Sequence, residues 1–214
     1  MRDIVIAKKN KYIHKGKIYD DISIKKIINK EVNLYIIEWK KEENLLIKSY
    51  DGIKSVKENV ICDIINDEYG VNHNVLMHYE YDKKRKKLFL YSIGDVERIQ
   101  FLCEGLSEVT ILPIQFYIRE ITMKKIKKPS QYRVLTKIKD HIYYLEITNN
   151  LITKSIVDNK ENFVKNFNYK DINEGKTFVI DKNIDNELME QFKEKRTFIR
   201  LNIGDKINEK IFEV

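Results

Sequence analysis

The sequence predicts a mixed fold, α/β combined with α+β, built around a ferredoxin-like β-α-β-β-α-β unit spanning residues 44–112. Three observations carry that expectation. First, strand and helix signals alternate cleanly from Leu45 to Leu112, with apolar residues at the helical spacing in two places and at strand density in four. Second, three strand-like runs of similar length, Tyr132–Ile138, Ile142–Ile147 and Leu151–Val157, are joined by short polar connectors, the pattern of an antiparallel meander. Third, 43% of residues are hydrophobic and 34% are charged with both signs mixed, a composition that buries a core and excludes a disordered chain.

In chain order, Asp3–Ala7 reads as a strand, and Lys11–His14 and Lys17–Tyr19 as a hairpin around Lys15-Gly16. The stripe Ile24, Ile27 and Ile28 predicts a helix over 22–29, and Asn33–Trp39 a buried strand. Leu45–Tyr50 opens the β-α-β-β-α-β stretch. Ser55 and Glu58 have the spacing of a capping box, the helix after them carries Val56, Val60, Ile61, Ile64 and Ile65 on one face, and Gly70 stops it. Val75–Tyr81 and Leu88–Ile93 follow as strands joined by the tip Lys83, Lys84, Arg85, Lys86 and Lys87. Alternation puts Tyr79 and Tyr81 on one face and Phe89 and Tyr91 together on the partner strand, where cross-strand aromatic pairing is expected. Gly94-Asp95 opens a second helix, with Val96, Ile99, Leu102, Cys103 and Leu106 in register, and Val109–Leu112 is the last strand.

Pro113 fits the start of a helix carrying Ile114, Tyr117, Ile118 and Ile121. The basic run Lys124–Lys128 then leads to Pro129-Ser130, the best candidate boundary. After the meander come a helix at Asn162–Phe167, a strand at Thr177–Asp181, a helix at Ile184–Phe192, a strand at Thr197–Asn202 and a turn or short helix to the end. No internal repeat is visible.

Motifs of chemistry are scarce. Seven scattered glycines form neither G-x-x-x-x-G-K-[ST] nor G-x-G-x-x-G, the loops that bring backbone amides to phosphate. The four histidines, His14, His73, His78 and His141, have no metal-binding spacing, and no nucleophile elbow occurs. Acidic pairs such as Asp20-Asp21 and Glu42-Glu43 read as solvated surface. Cys62 and Cys103, placed on apolar helix faces, read as buried free thiols without a disulfide or zinc framework. No secretory leader and no run of about 18 apolar residues is present. The net charge of +7 suits nucleic acid or an anionic surface. Interspersed acids, together with over-used Lys, Ile, Asn and Tyr of the kind A/T-rich coding produces, account for it more plainly. The tip at 83–87 could grip phosphates; as lysine at a hairpin end it also blocks edge-to-edge aggregation.

One pattern goes further. The strand Asn33–Glu38, the helix after Ser55, a Tyr79-Glu-Tyr-Asp82 strand, a Leu88-Phe-Leu-Tyr-Ser-Ile93 strand, a helix ending Cys103-Glu-Gly-Leu106 and a strand running into Leu112-Pro113 resemble the actin-like cytoplasmic proteins of type IV pilus assembly (the PilM class) and the cytoplasmic part of the type II secretion L component. The resemblance covers roughly residues 30–160. It implies an actin-like, ribonuclease H-like core that is incomplete: residues 1–43 with 113–129 as a first subdomain, 44–112 as the β-α-β-β-α-β subdomain, and 130–214 as a second, shortened subdomain.

Actin-like ATPases carry glycine turns at the phosphates. Here the corresponding residues are Ile6-Ala-Lys-Lys9 and Thr148-Asn-Asn150, so the resemblance implies a degenerate member with no cofactor and no catalysis. The expected function is a non-enzymatic cytoplasmic scaffold, peripheral at the inner face of the cell membrane. It would bind the cytoplasmic tail of a bitopic membrane partner by strand addition, with an assembly ATPase as a second candidate partner and a homodimer as a candidate state. The alternative is a small basic nucleic-acid-binding accessory protein acting through 83–87 and 124–128.

Overall fold

The computed structural model describes residues 3–8, 11–36, 45–70, 74–94, 96–126, 130–167, 177–192 and 198–209. The chain divides into two compact units, one of Met1–Asn44 with Leu102–Val214 and one of Leu45–Phe101. The elements begin with β1 (Asp3–Lys8), β2 (Lys11–His14), β3 (Lys17–Tyr19), α1 (Asp21–Lys25) and β4 (Glu31–Ile36). They continue with β5 (Leu46–Tyr50), α2 (Glu58–Tyr69), β6 (Val75–Asp82), β7 (Lys87–Gly94), α3 (Glu97–Cys103), β8 (Glu108–Pro113) and α4 (Ile114–Lys125). The last group is β9 (Gln131–Ile138), β10 (His141–Thr148), β11 (Leu151–Asn159), α5 (Lys160–Asn166), β12 (Thr177–Asp181), α6 (Asn186–Glu190), β13 (Phe198–Leu201) and α7 (Gly204–Ile207).

The larger unit holds two five-stranded sheets, ordered β3-β2-β1-β4-β8 and β11-β10-β9-β12-β13. In each, three strands form an antiparallel meander, a fourth joins its first strand in parallel, and a fifth lies parallel to the fourth. The same architecture therefore occurs twice although the sequence shows no repeat. The residues after Pro129 build five strands in the same order as the first sheet. The duplication lies in strand order and pairing sense, while the central strands β1 (DIVIAK) and β9 (QYRVLTKI) differ in length and sequence.

Between the sheets runs α4, which buries Ile114, Gln115, Phe116, Tyr117, Ile118 and Thr122 and packs on β8, β10 and β11. Pro113 stands at its N-cap, one position before the helix. Arg119 Nη1 donates to the Asn150 carbonyl at 3.0 Å, and the guanidinium lies 4.8 Å from the Phe116 ring centre. The second sheet packs against α5 and α6 through Leu135, Tyr144, Phe163, Phe178, Leu188 and Phe192, all no more than 1% exposed. Phe163 stacks on Phe167 at 4.7 Å, and Tyr144 meets Phe167 edge-on at 4.8 Å.

Asp185 caps α6 and ties it to α5. Its carboxylate accepts from Leu188 N at 2.9 Å and lies 3.1 Å from Lys160 Nζ. The Leu188 bond foremost, with Lys160 adding to it against the cost of burial, holds the carboxyl below the usual range. A depressed carboxyl contributes stability above its unfolded pKa, near 3.9, and loses it as pH falls through the folded value. Asp185→Ala is expected to cost about 1 kcal/mol at neutral pH. In urea melts across pH, its deficit against wild type closes below about pH 4.

The smaller unit has the sheet order β5-β7-β6 with α2 on one face. Gly70 ends α2 as the sequence predicts, at φ 76°, its N–H donating to the Asn66 carbonyl. The start is different. Lys57 is the N-cap and no side chain caps the helix, so Ser55 does not form the capping box. The reason is tertiary: Ile53 N donates to the Lys86 carbonyl at 3.0 Å and Tyr81 Oη to the Ile53 carbonyl at 2.6 Å, holding the chain extended before the helix. On the sheet face under α2, Tyr69 Oη and Ser92 Oγ are 2.6 Å apart, and Tyr50 Oη donates to Glu68 Oε1 at 2.7 Å.

Element order from β5 to β8 is the β-α-β-β-α-β series expected, but its last strand pairs elsewhere. β8 lies parallel to β4, Leu34 opposite Ile111, and its entry is fixed where Ser107 N and Glu108 N both donate to the Lys30 carbonyl. The expected aromatic pairing is also corrected. The register sets Tyr79 opposite Leu90 and Tyr81 opposite Leu88, while Tyr91 faces His78, their rings 6.2 Å apart.

Among shorter elements, α1 covers Asp21–Lys25 only, buries Ile24 and leaves Ile27 44% exposed. Residues 37–39 of the predicted strand after Asn33 lie outside the described residues, as do Lys9, His73, Asp95, Lys127–Pro129, Thr197 and 210–214.

The thiols differ from expectation too. Cys62 is exposed and Cys103 half-buried, because α2 turns Ile61 to the sheet and its neighbour stands about 100° round the helix. Burial pushes the Cys103 thiol up, with Lys25 opposing. A native-state titration with a disulfide reagent is expected to show one fast thiol, lost in Cys62→Ser, and one slow one.

Candidate partner-binding surfaces

The cationic tip closes the β6–β7 hairpin. Asp82 Oδ1 accepts from Lys84 N at 3.1 Å and Arg85 N at 3.2 Å, the side-chain turn that an Asp at this position makes. Lys86 takes the left-handed conformation at φ 53°. Two of the five cations are paired: Arg85 Nη1 is 3.9 Å from Asp82, and Lys87 Nζ is 3.3 Å from Asp51 and 5.7 Å from the Phe89 ring centre. Lys83, Lys84 and Lys86 stand exposed on an ordered turn. The structure thus brings the predicted tip residues together but leaves a smaller outward charge than five lysine or arginine residues suggest. In the other basic run, Lys124 Nζ is 2.6 Å from Glu120.

Each sheet leaves two edges. In the smaller unit these are β5 and β6, with β7 between them buried from Leu88 to Ser92. β5 is short and its side chains are committed: Lys48 pairs with Glu68, and Tyr50 bonds the same carboxylate. The Lys48 ammonium, then Tyr50, hold Glu68 below the usual carboxylate range, while burial and the Glu68 bond push the Tyr50 hydroxyl up. β6 is eight residues long and carries Tyr79, 45% exposed, at its middle. Its far end is the cationic tip.

A third site escaped the sequence. At the C-terminal ends of β9, β12 and β13, where parallel sheets usually receive ligands, Asp181 is 1% exposed. Its Oδ2 accepts from Thr136 Oγ1 at 2.5 Å and Gly204 N at 2.7 Å; its Oδ1 accepts from Asn183 N at 3.3 Å and Ile203 N at 3.4 Å. A Cβ on Gly204 would meet the Lys137 carbonyl and lie 2.6 Å from Asp181 Oδ2. The chain's own carboxylate fills this end. The only sequence signal was an Asp closing an apolar strand. The β9–β10 turn at this end carries a side chain rather than glycine in the left-handed region, Lys139 at φ 54°; at the opposite end of the sheet Asn149 and Asn150 do the same, at 50° and 71°.

Among the described residues, no group of three His, Cys, Asp or Glu could hold a metal, and no helix is long and apolar enough to cross a membrane.

Two sheets of one strand order, with a small unit inserted before the last strand of the first, make an actin-like fold. Two solved structures share it with TM-scores above 0.5. A chain of the PilM-PilN type IV pilus biogenesis complex is similar with a TM-score of 0.61 at 6% identity, over 98% of this chain and 94% of that one. A Bacteroides thetaiotaomicron VPI-5482 protein with actin-like ATPase fold and unknown function gives 0.55 at 12% identity, over 99% and 95%. The cytoplasmic domain of EpsL, an inner-membrane component of the type II secretion system of Vibrio cholerae, gives 0.45 at 10% identity, over 83% and 80%. No protein-family model and no curated protein matches the sequence. At these identities the likeness is one of fold.

Proposed function

We propose that this chain is a non-enzymatic scaffold of a type IV pilus or type II secretion machine, peripheral at the cytoplasmic face of the membrane. It binds the cytoplasmic tail of a bitopic inner-membrane partner by strand addition. The observation that carries this reading is the β6 edge: eight residues of strand paired to β7 on one side and to no other described strand. An extended peptide added there gains main-chain hydrogen bonds along its length. It ends beside Lys83, Lys84 and Lys86, which select a tail acidic at that end.

The fold shared with a chain of the PilM-PilN complex supports the setting. The Asp181 carboxylate, closed on Thr136 and Gly204, supports a role without nucleotide. The test is a thermal-shift titration of the full chain. The cytoplasmic tail peptide of the bitopic protein encoded beside it should raise the melting temperature, and Mg-ATP should not. A robust Mg-ATP shift overturns the non-enzymatic part, and a silent tail peptide overturns the partner. A second copy on the same edge is read by light scattering, and the assembly ATPase by co-purification.

A further inference from the structure

Six large apolar side chains stand exposed among the described residues, and three of them lie within ten positions: Ile18 at 64%, Ile22 at 65% and Ile27 at 44%. Ile18 is the middle residue of β3, the edge strand of the first sheet. Ile22 is in the first turn of α1, just past the cap where Asp20 accepts from Ser23 N at 2.7 Å. The helix buries Ile24 against the sheet and turns Ile22 to water. The charge around them is lopsided. Residues 11–30 hold six lysines against two aspartates, a net +4 of the whole chain's +7. Lys11, Lys15, Lys17, Lys26 and Lys30 are exposed.

Exposed branched apolar side chains set among exposed lysines, on two elements that pack together, narrow the partner. Single-stranded nucleic acid asks for exposed aromatic rings, and here Tyr12 is fully buried and Tyr19 half-buried. Isoleucine offers a phosphate backbone nothing. A bilayer interface takes both parts: isoleucines enter the acyl boundary while lysine stems lie along it and their ammonium groups reach headgroup phosphates.

We propose that the β2–β3 hairpin and α1 form a direct, reversible contact for an anionic bilayer surface. This contact belongs to the larger unit and is independent of the β6 edge and of any partner tail. Two or three isoleucines and five lysines make a weak anchor, sensitive to salt and to lipid charge.

The test is flotation of the full chain with vesicles of phosphatidylglycerol and phosphatidylcholine, and with phosphatidylcholine alone. The chain should float with the first and not the second, less so as salt rises. Ile18→Asp with Ile22→Asp should lower the bound fraction at least about tenfold, as should Lys17→Glu with Lys26→Glu, with unchanged melting temperature because all four side chains are exposed. Lys83→Glu with Lys84→Glu should float like wild type. A wild-type chain that stays down with anionic vesicles, or an isoleucine variant that floats as well as wild type, overturns the proposal. So does salt-sensitive capture of single-stranded DNA without flotation, which would assign the lysines to nucleic acid.

Discussion

Asp181→Ala is expected to lose about 3–5 kcal/mol of stability. The side chain is 1% exposed and gathers four donors from three parts of the chain: Thr136 on β9, Asn183 in its own turn, and Ile203 and Gly204 after β13. Alanine removes the acceptor and leaves the Thr136 hydroxyl and two backbone N–H groups buried without it, each costing roughly 1–3 kcal/mol. Asp181→Asn keeps one oxygen but turns an amide toward donors, so a smaller loss is expected. Gly204→Ala should approach the alanine variant at 181 by a different route, since its methyl collides with the Lys137 carbonyl and the Asp181 carboxylate. Urea unfolding of the three variants decides it. A loss under about 1 kcal/mol for both Asp181→Ala and Gly204→Ala would show that the cluster does not close the sheet end.

That cluster marks where the sequence stops being readable. The meander, the β6–β7 hairpin with its tip, the α4 stripe and the Gly70 stop are local patterns, and each is legible because spacing or a φ requirement decides it. Asp181 is different: its four donors converge only after β9, β12 and the segment past β13 are laid side by side. Arg133 is another case. It is 1% exposed in the middle of an apolar strand, its Nε 3.8 Å from Glu146 Oε1, a carboxylate that also accepts from Tyr144 Oη at 2.8 Å. A charged residue in a strand pattern reads as a solvent face until its cross-strand partner is known.

Strand pairing was hidden for a related reason. Val109–Leu112 suits any buried parallel strand, and nothing local says that it joins β4 rather than β7. The twofold sheet order went unseen because a topology repeats through strand order and pairing sense, not through residue identity. Of the candidate site, the tip was visible as a charge run, but its pairing to Asp82 and Asp51 and the open edge of β6 needed the fold.

On that edge a proline pair separates folding from binding. Along an edge strand, successive N–H groups alternate between the neighbour strand and the open side. Of His78→Pro and Tyr79→Pro, therefore, one removes a ladder bond to β7 and the other removes a donor that only an added strand would use. The first is expected to lower stability by roughly 1–3 kcal/mol. The second is expected to leave the fold close to wild type and to weaken the partner tail at least about thirtyfold, since the ring disrupts two neighbouring main-chain bonds worth roughly 1 kcal/mol each. Both residues are exposed, so neither change opens a cavity. Calorimetric titration with the tail peptide, set beside urea melts of the same variants, reads the two effects apart. Strand addition on β6 is overturned by a well-folded proline variant that binds the tail as tightly as wild type, when the tail itself binds the unmodified chain.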